Sequence, residues 1–282
     1  MTARPRGAGA GAGVGVGEGA WPGEGARVTA LSITPIKGTR LQQVQSIHLG
    51  RRGVRENRRF FLIDDRDRMV NGKPLGELQR LVAGYTDRER RLEIAFPDGQ
   101  VISGPVELGE TVRTRFFSRT VDASLVLGDW SGAISDHLGQ PLRLVEADED
   151  GAVDRGRRGP VTLISQASLG RLADEGALSD IDARRFRMLI EIDGVDAHAE
   201  DAWVGRQVRA GEASVRPAGH VGRCLITSRH PESGEVDTPT LEILGDYRRA
   251  VETSEPLPFG IYGDVVEPGV IRVGDPVSLA GG

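Results

Sequence analysis

From Val28 onward the chain alternates short apolar runs with turn-forming residues, and this alternation most restricts the folds available to it. The runs are four to nine residues long, which suits strands and is too short for most helices. Between two of the runs, Pro97 fixes φ and Gly99 supplies a positive φ, as a hairpin turn requires. Strands are predicted at Val28–Ile36, Arg59–Asp64, Arg91–Phe96, Val112–Phe116, Ser124–Leu127, Val161–Ile164, Phe186–Ile192, Gln207–Ala210, Ala213–Arg216, Cys224–Ser228, Asp264–Glu267 and Val270–Val273.

Helical spacing is confined to a few segments. It is found in Leu75–Val82 and in Asp129–Leu138, where apolar residues recur at four-residue intervals. Ser165 is a suitable N-cap for a further helix that begins after it. Many short strands with few helices predict a mainly β protein with a few helices, of the β-rich α+β class. A barrel or sandwich is expected rather than a doubly wound sheet.

The chain divides at a polar, charged segment, residues 146–158, which has almost no apolar content. This segment is predicted to link a first unit, residues 28–145, to a second unit, residues 159–280. Residues 1–27 contain a tract in which small residues alternate with glycine. Such a tract cannot bury enough apolar surface to offset its backbone entropy, so this arm is predicted to be disordered. Its strictly alternating glycines do not fit the G-x-G-x-x-G dinucleotide fingerprint.

Charge and cysteine content exclude several classes of protein. The net charge of −5 argues against general affinity for nucleic acid or for anionic membranes. No run approaches the roughly 20 apolar residues that cross a bilayer. The single cysteine, Cys224, excludes an internal disulfide and a cysteine-rich zinc or iron–sulfur site in these 282 residues. A reducing cytoplasm is the expected compartment.

Cys224 allows two interpretations from the residues alone. It can be a small buried side chain on a strand, which is the usual environment of a free cysteine. Alternatively, Arg223 and Arg187 could favour its thiolate, the species that binds soft metals or attacks as a nucleophile. His220 would lie about 13 Å away if both residues shared a strand, so a direct Cys–His pair is not expected.

Several separated segments match sequence motifs of one known family. In the first unit, Ile33–Gly38 resembles a "YPIKS"-like opening strand and Asn57–Asp64 resembles a "DRxWxxVD" strand. In the second unit the similar segments are Phe186–Ile190 ("FRPNI"), Ala199–Trp203 ("AEDxW"), Gly222–Cys224 ("SRC"), Phe259–Tyr262 and Val270–Val277. In the same order, these segments resemble those of the MOSC superfamily (the molybdenum-cofactor sulfurase C-terminal fold). The layout is similar to that of amidoxime-reducing components and their bacterial counterparts. It implies an N-terminal MOSC β-barrel domain followed by a MOSC β-barrel domain.

The resemblance further implies a molybdenum cofactor (molybdopterin with bound molybdenum), whose pterin holds the metal through a dithiolene and carries a phosphate. A thiolate ligand suits such a soft metal centre, and cations with N–H donors suit the phosphate. The implied residues are Cys224 as metal ligand and catalytic residue, with Lys37, Gly38, Arg58, Arg59, Ser165, Arg187 and Arg223 around the cofactor.

Three of these residues carry more specific expectations. Neighbours on a strand face opposite ways, so only one of Arg58 and Arg59 can point inward, and Arg59 is the fallback. Arg223 could hold the pterin or tune the thiolate. The helix after Ser165 could offer its N-terminus to an anion.

Five positions depart from the family pattern. Asn57 and Phe60 replace the usual aspartate and tryptophan of their strand, and Met188 replaces a usual proline. Gly38 stands where a serine is usual, and Leu189 stands where an asparagine is usual. We therefore expect one hydroxyl and one amide fewer beside the cofactor.

The activity that the resemblance implies is reduction of an N-hydroxylated small molecule, such as a hydroxylamine or amidoxime, by two-electron oxygen-atom transfer. The electrons are expected in trans from a ferredoxin or flavoprotein type of donor, because the sequence has no spare cysteines for a cluster of its own. Two alternatives stay open: a non-catalytic module that binds or carries the cofactor or sulfur, and a scaffold without the cofactor. The family also has an association with pyridoxal phosphate binding, at family level only.

Overall fold

Strands dominate the chain within residues 25–148 and 159–280, which are those that the computed structural model describes. The strands are β1 (Arg27–Ile33), β2 (Gln42–Val44), β3 (Ser46–Leu49), β4 (Phe60–Ile63), β5 (Met69–Val70), β6 (Val82–Thr86), β7 (Arg91–Ala95), β8 (Val101–Pro105), β9 (Glu107–Phe116), β10 (Arg119–Leu127), β11 (Arg143–Ala147), β12 (Val161–Ser165), β13 (Ile190–Asp193), β14 (Val208–Ala210), β15 (Ala213–Gly222), β16 (Pro258–Glu267), β17 (Gly269–Arg272) and β18 (Val277–Leu279). The helices are α1 (Trp130–Leu138), α2 (Gln166–Glu175) and α3 (Thr240–Tyr247), and short 3₁₀ helices span Gly76–Arg80, Ala183–Phe186, Ala199–Trp203 and Leu225–Ser228. The predicted mainly β class is confirmed.

The strands form four sheets. An eight-stranded sheet has the order β18-β14-β15-β16-β12-β13-β1-β2, in which β12 and β13 are parallel and the other neighbours are antiparallel. A five-stranded sheet has the order β5-β4-β11-β10-β9, a three-stranded sheet the order β6-β7-β8, and β3 pairs with β17. None of these sheets closes into a ring within the described parts of the chain.

The first strand of the chain belongs to the sheet of its C-terminal half. β1 runs antiparallel to β13, with Leu31 opposite Ile190, and the amide of Ser32 donates to the carbonyl of Leu189 at 3.0 Å. β3 likewise pairs with β17 near the end of the chain. Backbone hydrogen bonds therefore join the two predicted units, and the segment after β1 lies where they meet.

The predicted arm and linker fall largely outside the described residues. Residues 1–24 and 149–158 are not among them. At the start of the predicted linker, Glu146 and Ala147 are still the last two residues of β11. The proposed division of the chain at residues 146–158 stays a prediction.

Apolar side chains gather in clusters that hold these sheets and helices together. One fills the eight-stranded sheet around Trp203, and a second packs α1 against the three- and five-stranded sheets around Phe60. A third packs α2 and α3 around Phe259 and includes Phe186 and Met188. The chain segment that carries Arg187 is thus anchored on both sides by buried side chains.

One predicted strand is partly wrong and another is wrong. Phe186–Ile192 begins as the end of a 3₁₀ helix, turns at Arg187 with a φ of 55°, and becomes a strand only at Ile190. Cys224–Ser228 is a 3₁₀ turn, because the amide and the hydroxyl of Thr227 both donate to the Cys224 carbonyl, at 3.0 and 3.1 Å. Hydroxyl side chains that bond to nearby backbone compete in this way with strand formation.

Glu146 joins three elements through a buried ion-pair network. Its side chain is 3% exposed and accepts from Arg59 at 2.6 Å and from Arg90 at 2.8 Å. Arg59 immediately precedes β4, and Arg90 lies between β6 and β7. The carboxylate therefore fixes the three-stranded sheet to the five-stranded sheet.

Replacing Glu146 by alanine is expected to lower the free energy of unfolding by about 3 kcal/mol, because the nearly buried Arg59 guanidinium loses its carboxylate partner. Urea unfolding measures this change. The exposed Glu89 provides the control, and its replacement by alanine should change stability by less than about 0.5 kcal/mol. Equal effects of the two substitutions would contradict the role of the network.

Candidate functional site

A cavity of about 650 Å³ lies where the two halves of the chain meet. Its apolar surface comes from phenylalanine, methionine, valine, isoleucine and proline side chains, and its charged surface is mostly cationic. The lining residues are Lys37, Gly38, Arg58, Asn71, Gly72, Lys73, Phe117, Thr162, Phe186, Arg187, Met188, Val221, Gly222, Arg223, Cys224, Ile226, Glu255 and Pro256. A cavity of this size suits a cofactor or a drug-sized ligand.

The cavity brings together six of the eight residues singled out from the sequence. These six are Lys37, Gly38, Arg58, Arg187, Arg223 and Cys224. Arg59 and Ser165 lie elsewhere. The roles of the six in binding a cofactor stay predictions.

The thiol of Cys224 is accessible. Cys224 is exposed and has an extended backbone, and the Leu225–Ser228 turn begins directly after it. The chain leaves β15 at Gly222, and the amide of Arg223 then donates to the Pro256 carbonyl at 3.1 Å. The interpretation of Cys224 as a small buried side chain on a strand is therefore wrong, and its sulfur is free to meet a ligand.

Arg58 and Arg187 form a linked pair of cations beside the cavity. Both have left-handed backbones, with φ of 52° and 55°, which for residues other than glycine costs on the order of 1 kcal/mol each. The Arg58 amide donates to the Thr34 carbonyl at 2.6 Å, and its guanidinium donates to the Arg187 carbonyl at 2.6 Å. Arg187 in turn donates to the Thr39 carbonyl at 2.7 Å. These bonds hold both unusual backbone conformations at the cavity wall.

Lys37 lies against two aromatic rings. Its Nζ is 5.7 Å from the ring centroids of both Phe116 and Phe117, within the range of a cation–π interaction. Phe116 is fully buried, whereas Phe117 is 58% exposed and has a φ of 55°. The hairpin between β9 and β10 thus brings the exposed Phe117 ring to the cavity, beside the Lys37 ammonium group from the segment after β1.

The side chain of Arg223, the residue before Cys224, is buried and makes contacts with two other segments of the chain. Its Nε donates to the Phe259 carbonyl and its Nη1 to the Phe186 carbonyl, both at 2.8 Å. Its guanidinium carbon is 5.3 Å from the centroid of the Phe186 ring and 6.0 Å from that of the Phe259 ring. The side chain therefore ties the cysteine segment to the segment of Arg187 and to β16, while it also lines the cavity.

Arg59 and Ser165 have other partners. Arg59 does not line the cavity and binds Glu146 instead. The prediction for this pair rested on strand geometry, whereas both residues precede β4 and Arg58 has a left-handed backbone. Ser165 caps α2, as predicted, by accepting from the Ser168 amide at 3.1 Å.

The chain's own Glu200 occupies the N-terminus of α2. The Glu200 carboxylate is fully buried and accepts from the hydroxyls of Ser165 at 3.0 Å and Ser168 at 2.7 Å. Burial raises the pKa of the Glu200 carboxyl, and the hydrogen bond from Ser168 acts in the opposite direction. The expectation that this helix end binds a cofactor anion is wrong, because an internal carboxylate is already there.

The departures at Gly38 and Leu189 lie in different surroundings. Gly38 has a φ of 101°, and an added Cβ would lie 3.0 Å from a Leu78 methyl, so this backbone requires glycine. Leu189 is 3% exposed and packs in the core of the eight-stranded sheet, outside the cavity lining. The neighbouring Met188 lines the cavity instead, so the expected loss of an amide at position 189 does not arise in this site.

Several lining residues were not identified from the sequence as site residues. Asn71 accepts from the Lys73 amide at 2.8 Å, and an added Cβ at Gly72 would lie 2.6 Å from Ile226, so this turn fits closely against the cysteine segment. The available signals were the Asn-Gly dipeptide and the fact that Lys73 is one of only two lysines. No comparable signal marks Glu255.

No group of three or more His, Cys, Asp or Glu side chains is arranged to hold a metal ion in residues 25–148 and 159–280. Within the same ranges, no helix combines the length and the apolar character of a membrane span.

Comparison with known proteins identifies both halves of the chain. The family model of the MOSC N-terminal beta barrel domain matches residues 25–141, and that of the MOSC domain matches residues 150–278. Mitochondrial amidoxime-reducing component 1 of Xenopus laevis is 27% identical, over 89% of this chain and 81% of that protein. The Homo sapiens protein of the same name is 34% identical, over 43% of this chain and 37% of that protein. Among solved structures, the YUAD protein from Bacillus subtilis is 14% identical with a TM-score of 0.46, over 90% of this chain and 94% of that one. The chain belongs to the MOSC superfamily, with a MOSC N-terminal domain ahead of its MOSC domain.

Proposed function

We propose that this protein binds a molybdenum cofactor in the cavity and reduces N-hydroxylated small molecules there. One observation carries the proposal: the exposed thiol of Cys224 opens onto the same cavity as the cationic side chains of Lys37, Arg58, Lys73 and Arg187. The similarity to proteins named amidoxime-reducing components supports a reductase of this kind at the level of the family.

The residues present fit such a group. Cys224 offers one soft ligand, which suits molybdenum, and coordination would hold it as the thiolate. The arginines at positions 58 and 187 offer planar forks for a phosphate, and Lys37 offers a compact positive charge. At Gly38 and Gly72, added Cβ atoms would meet Leu78 and Ile226, so both backbones pass close to their neighbours beside the cavity.

The roles of the chain's own residues follow from their places. Cys224 would ligate the metal, Lys37, Arg58 and Arg187 would hold the phosphate, and Arg223 would fix the cysteine segment. The bound cofactor would supply two-electron oxygen-atom transfer, by which the N–O bond of the substrate is reduced. Apolar lining groups such as Met188 would limit the access of water to this part of the cavity.

The electrons for this reaction would come from a separate donor of the ferredoxin or flavoprotein type. One cysteine cannot hold an iron–sulfur cluster, so none is expected within these 282 residues. The cytoplasmic location and the pyridoxal phosphate association stay predictions.

The exposure of Cys224 also suits a second function, a module that carries sulfur or the cofactor without turnover. Both functions use the same thiol, so the thiol by itself does not separate them. Turnover of a hydroxylamine or amidoxime with a chemical electron donor separates them, since only the reductase consumes the substrate.

Replacing Cys224 by alanine is expected to abolish reduction and to leave the fold intact, because an exposed side chain contributes little packing. The free energy of unfolding should change by less than about 0.5 kcal/mol. Molybdenum is measured by elemental analysis and the pterin by the fluorescence of its oxidised form, with both proteins expressed in a host that makes the cofactor. Retained pterin with lost activity would support a ligand role. Wild-type protein without metal or pterin, even after reconstitution, would contradict the proposal.

Arg58 and Arg59 provide a matched pair of substitutions. Arg58→Gln is expected to weaken retention of the phosphate-bearing pterin by about 10-fold or more, through loss of a charge-assisted contact. Arg59→Gln should leave retention unchanged and destabilise the fold instead, because Arg59 binds the buried Glu146. Pterin remaining after dialysis and urea unfolding are measured on both variants. If Arg59→Gln released the pterin and Arg58→Gln did not, the assignment of the inward-facing residue would be reversed.

A further inference from the structure

We propose that Glu255 determines substrate preference, by binding the positive charge that develops on an amidine- or guanidine-type substrate. The inference rests on the proposed function, because it concerns the same cavity and the substrate reduced there. It adds a recognition role for a carboxylate that the sequence did not mark.

Glu255 differs in charge from its surroundings. Among the described residues that line the cavity it is the only carboxylate, whereas five lining residues are lysine or arginine. The cationic residues are Lys37, Arg58, Lys73, Arg187 and Arg223. A half-buried carboxylate in a cavity built mainly for anions points to a second, cationic part of the ligand.

Backbone hydrogen bonds hold the segment that carries Glu255 beside the cysteine segment. Its amide donates to the Thr253 hydroxyl at 3.2 Å, and the carbonyl of the next residue, Pro256, accepts from the Arg223 amide at 3.1 Å. Its Oε2 is 2.6 Å from the place where a Cβ on Gly222 would be. The carboxylate therefore lies against the backbone of Gly222, two residues before Cys224, where a side chain at position 222 would displace it.

The cations and the carboxylate are held by different segments. Arg58 and Arg187 are bonded to each other and, through Thr34 and Thr39, to the segment after β1. Glu255 is instead held against the segment that carries Cys224. A molecule that reacts beside Cys224 would thus meet the carboxylate, and the anionic end of a cofactor would meet the cations.

The products of N–O reduction differ in charge, and a carboxylate responds to that difference. An amidoxime takes up two electrons from the donor protein and three protons; its N–O bond breaks, water leaves and an amidinium cation remains. A hydroxamic acid takes up two electrons and two protons and gives a neutral amide. The attraction of the carboxylate grows only in the first case, so it favours the transition state of an amidine-forming reaction. The two N–H groups of an amidinium also match the two carboxylate oxygens.

Binding of non-reducible probes tests Glu255 apart from turnover. The full chain with its cofactor is titrated calorimetrically with benzamidine, a cation, and with benzamide, its neutral counterpart. We expect the wild type to bind benzamidine at least about 10-fold more tightly, and Glu255→Gln to remove this preference. Glu255→Asp, which keeps the charge, should retain part of it. Glu252→Gln is the matched control, since Glu252 is exposed, lies in the same segment and does not line the cavity.

Turnover is measured on the same proteins with a chemical donor. The ratio of kcat/KM for benzamidoxime to that for benzhydroxamic acid should fall at least about 10-fold in Glu255→Gln and stay unchanged in Glu252→Gln. An unchanged benzamidine preference in Glu255→Gln, or no preference in the wild type, would overturn the role of Glu255 even if reduction proceeds. A preference that depends on Glu255 in a protein that reduces neither substrate would uphold the recognition role and refute the proposed function.

Discussion

The antiparallel pairing of β1 with β13 is the interaction on which the site depends. In an antiparallel pair, the end of one strand lies beside the start of the other. β1 ends at Ile33 and β13 starts at Ile190, so the segments that carry Lys37 and Arg187 leave the sheet at the same place. The hydrogen bond from Ser32 to the Leu189 carbonyl extends this contact towards the cavity. Without this pairing, the residues from the two halves of the chain would not share one cavity.

The Arg223 side chain is the second feature that holds the site together, although burial of its guanidinium group is itself energetically unfavourable. A buried guanidinium is tolerated only when its donors find acceptors. Here the carbonyls of Phe186 and Phe259 receive them, and the two aromatic rings cover the guanidinium. Those carbonyls belong to Phe186, just before Arg187, and to Phe259 in β16. The Arg223 side chain therefore connects the cysteine segment to two other segments of the chain. A lysine could not make these contacts, since it lacks the planar fork.

The other charged side chains discussed above fall into two groups: those that line the cavity and those that are buried elsewhere in the protein. Lysine and arginine side chains line the cavity, whereas two buried carboxylates lie elsewhere. Glu146 binds Arg59, and Glu200 occupies the start of α2. Both are almost fully buried, so each needs its partners to stay in the protein interior. Glu255 is therefore the one negatively charged side chain among the described residues that line the cavity.

The sequence by itself determined the features that depend on short stretches of chain, namely most of the strands and the cap at Ser165. It also singled out Cys224, because the chain has one cysteine. The sequence also predicted from strand alternation that only one of Arg58 and Arg59 would point inward, but both residues precede β4 and Arg58 has a left-handed backbone. Tertiary structure decided which contacts those residues make. Arg58 turns to the cavity through a bond to Arg187, 129 positions away. The apolar run at Cys224 is a 3₁₀ turn, in which the hydroxyls of Thr227 and Ser228 each bond to that of Thr240 at the start of α3. Local periodicity encodes which residues can form a strand, whereas the direction of a side chain at an irregular position depends on distant residues that a local pattern does not contain. For the same reason Lys73 and Glu255 join the site only when the chain is folded.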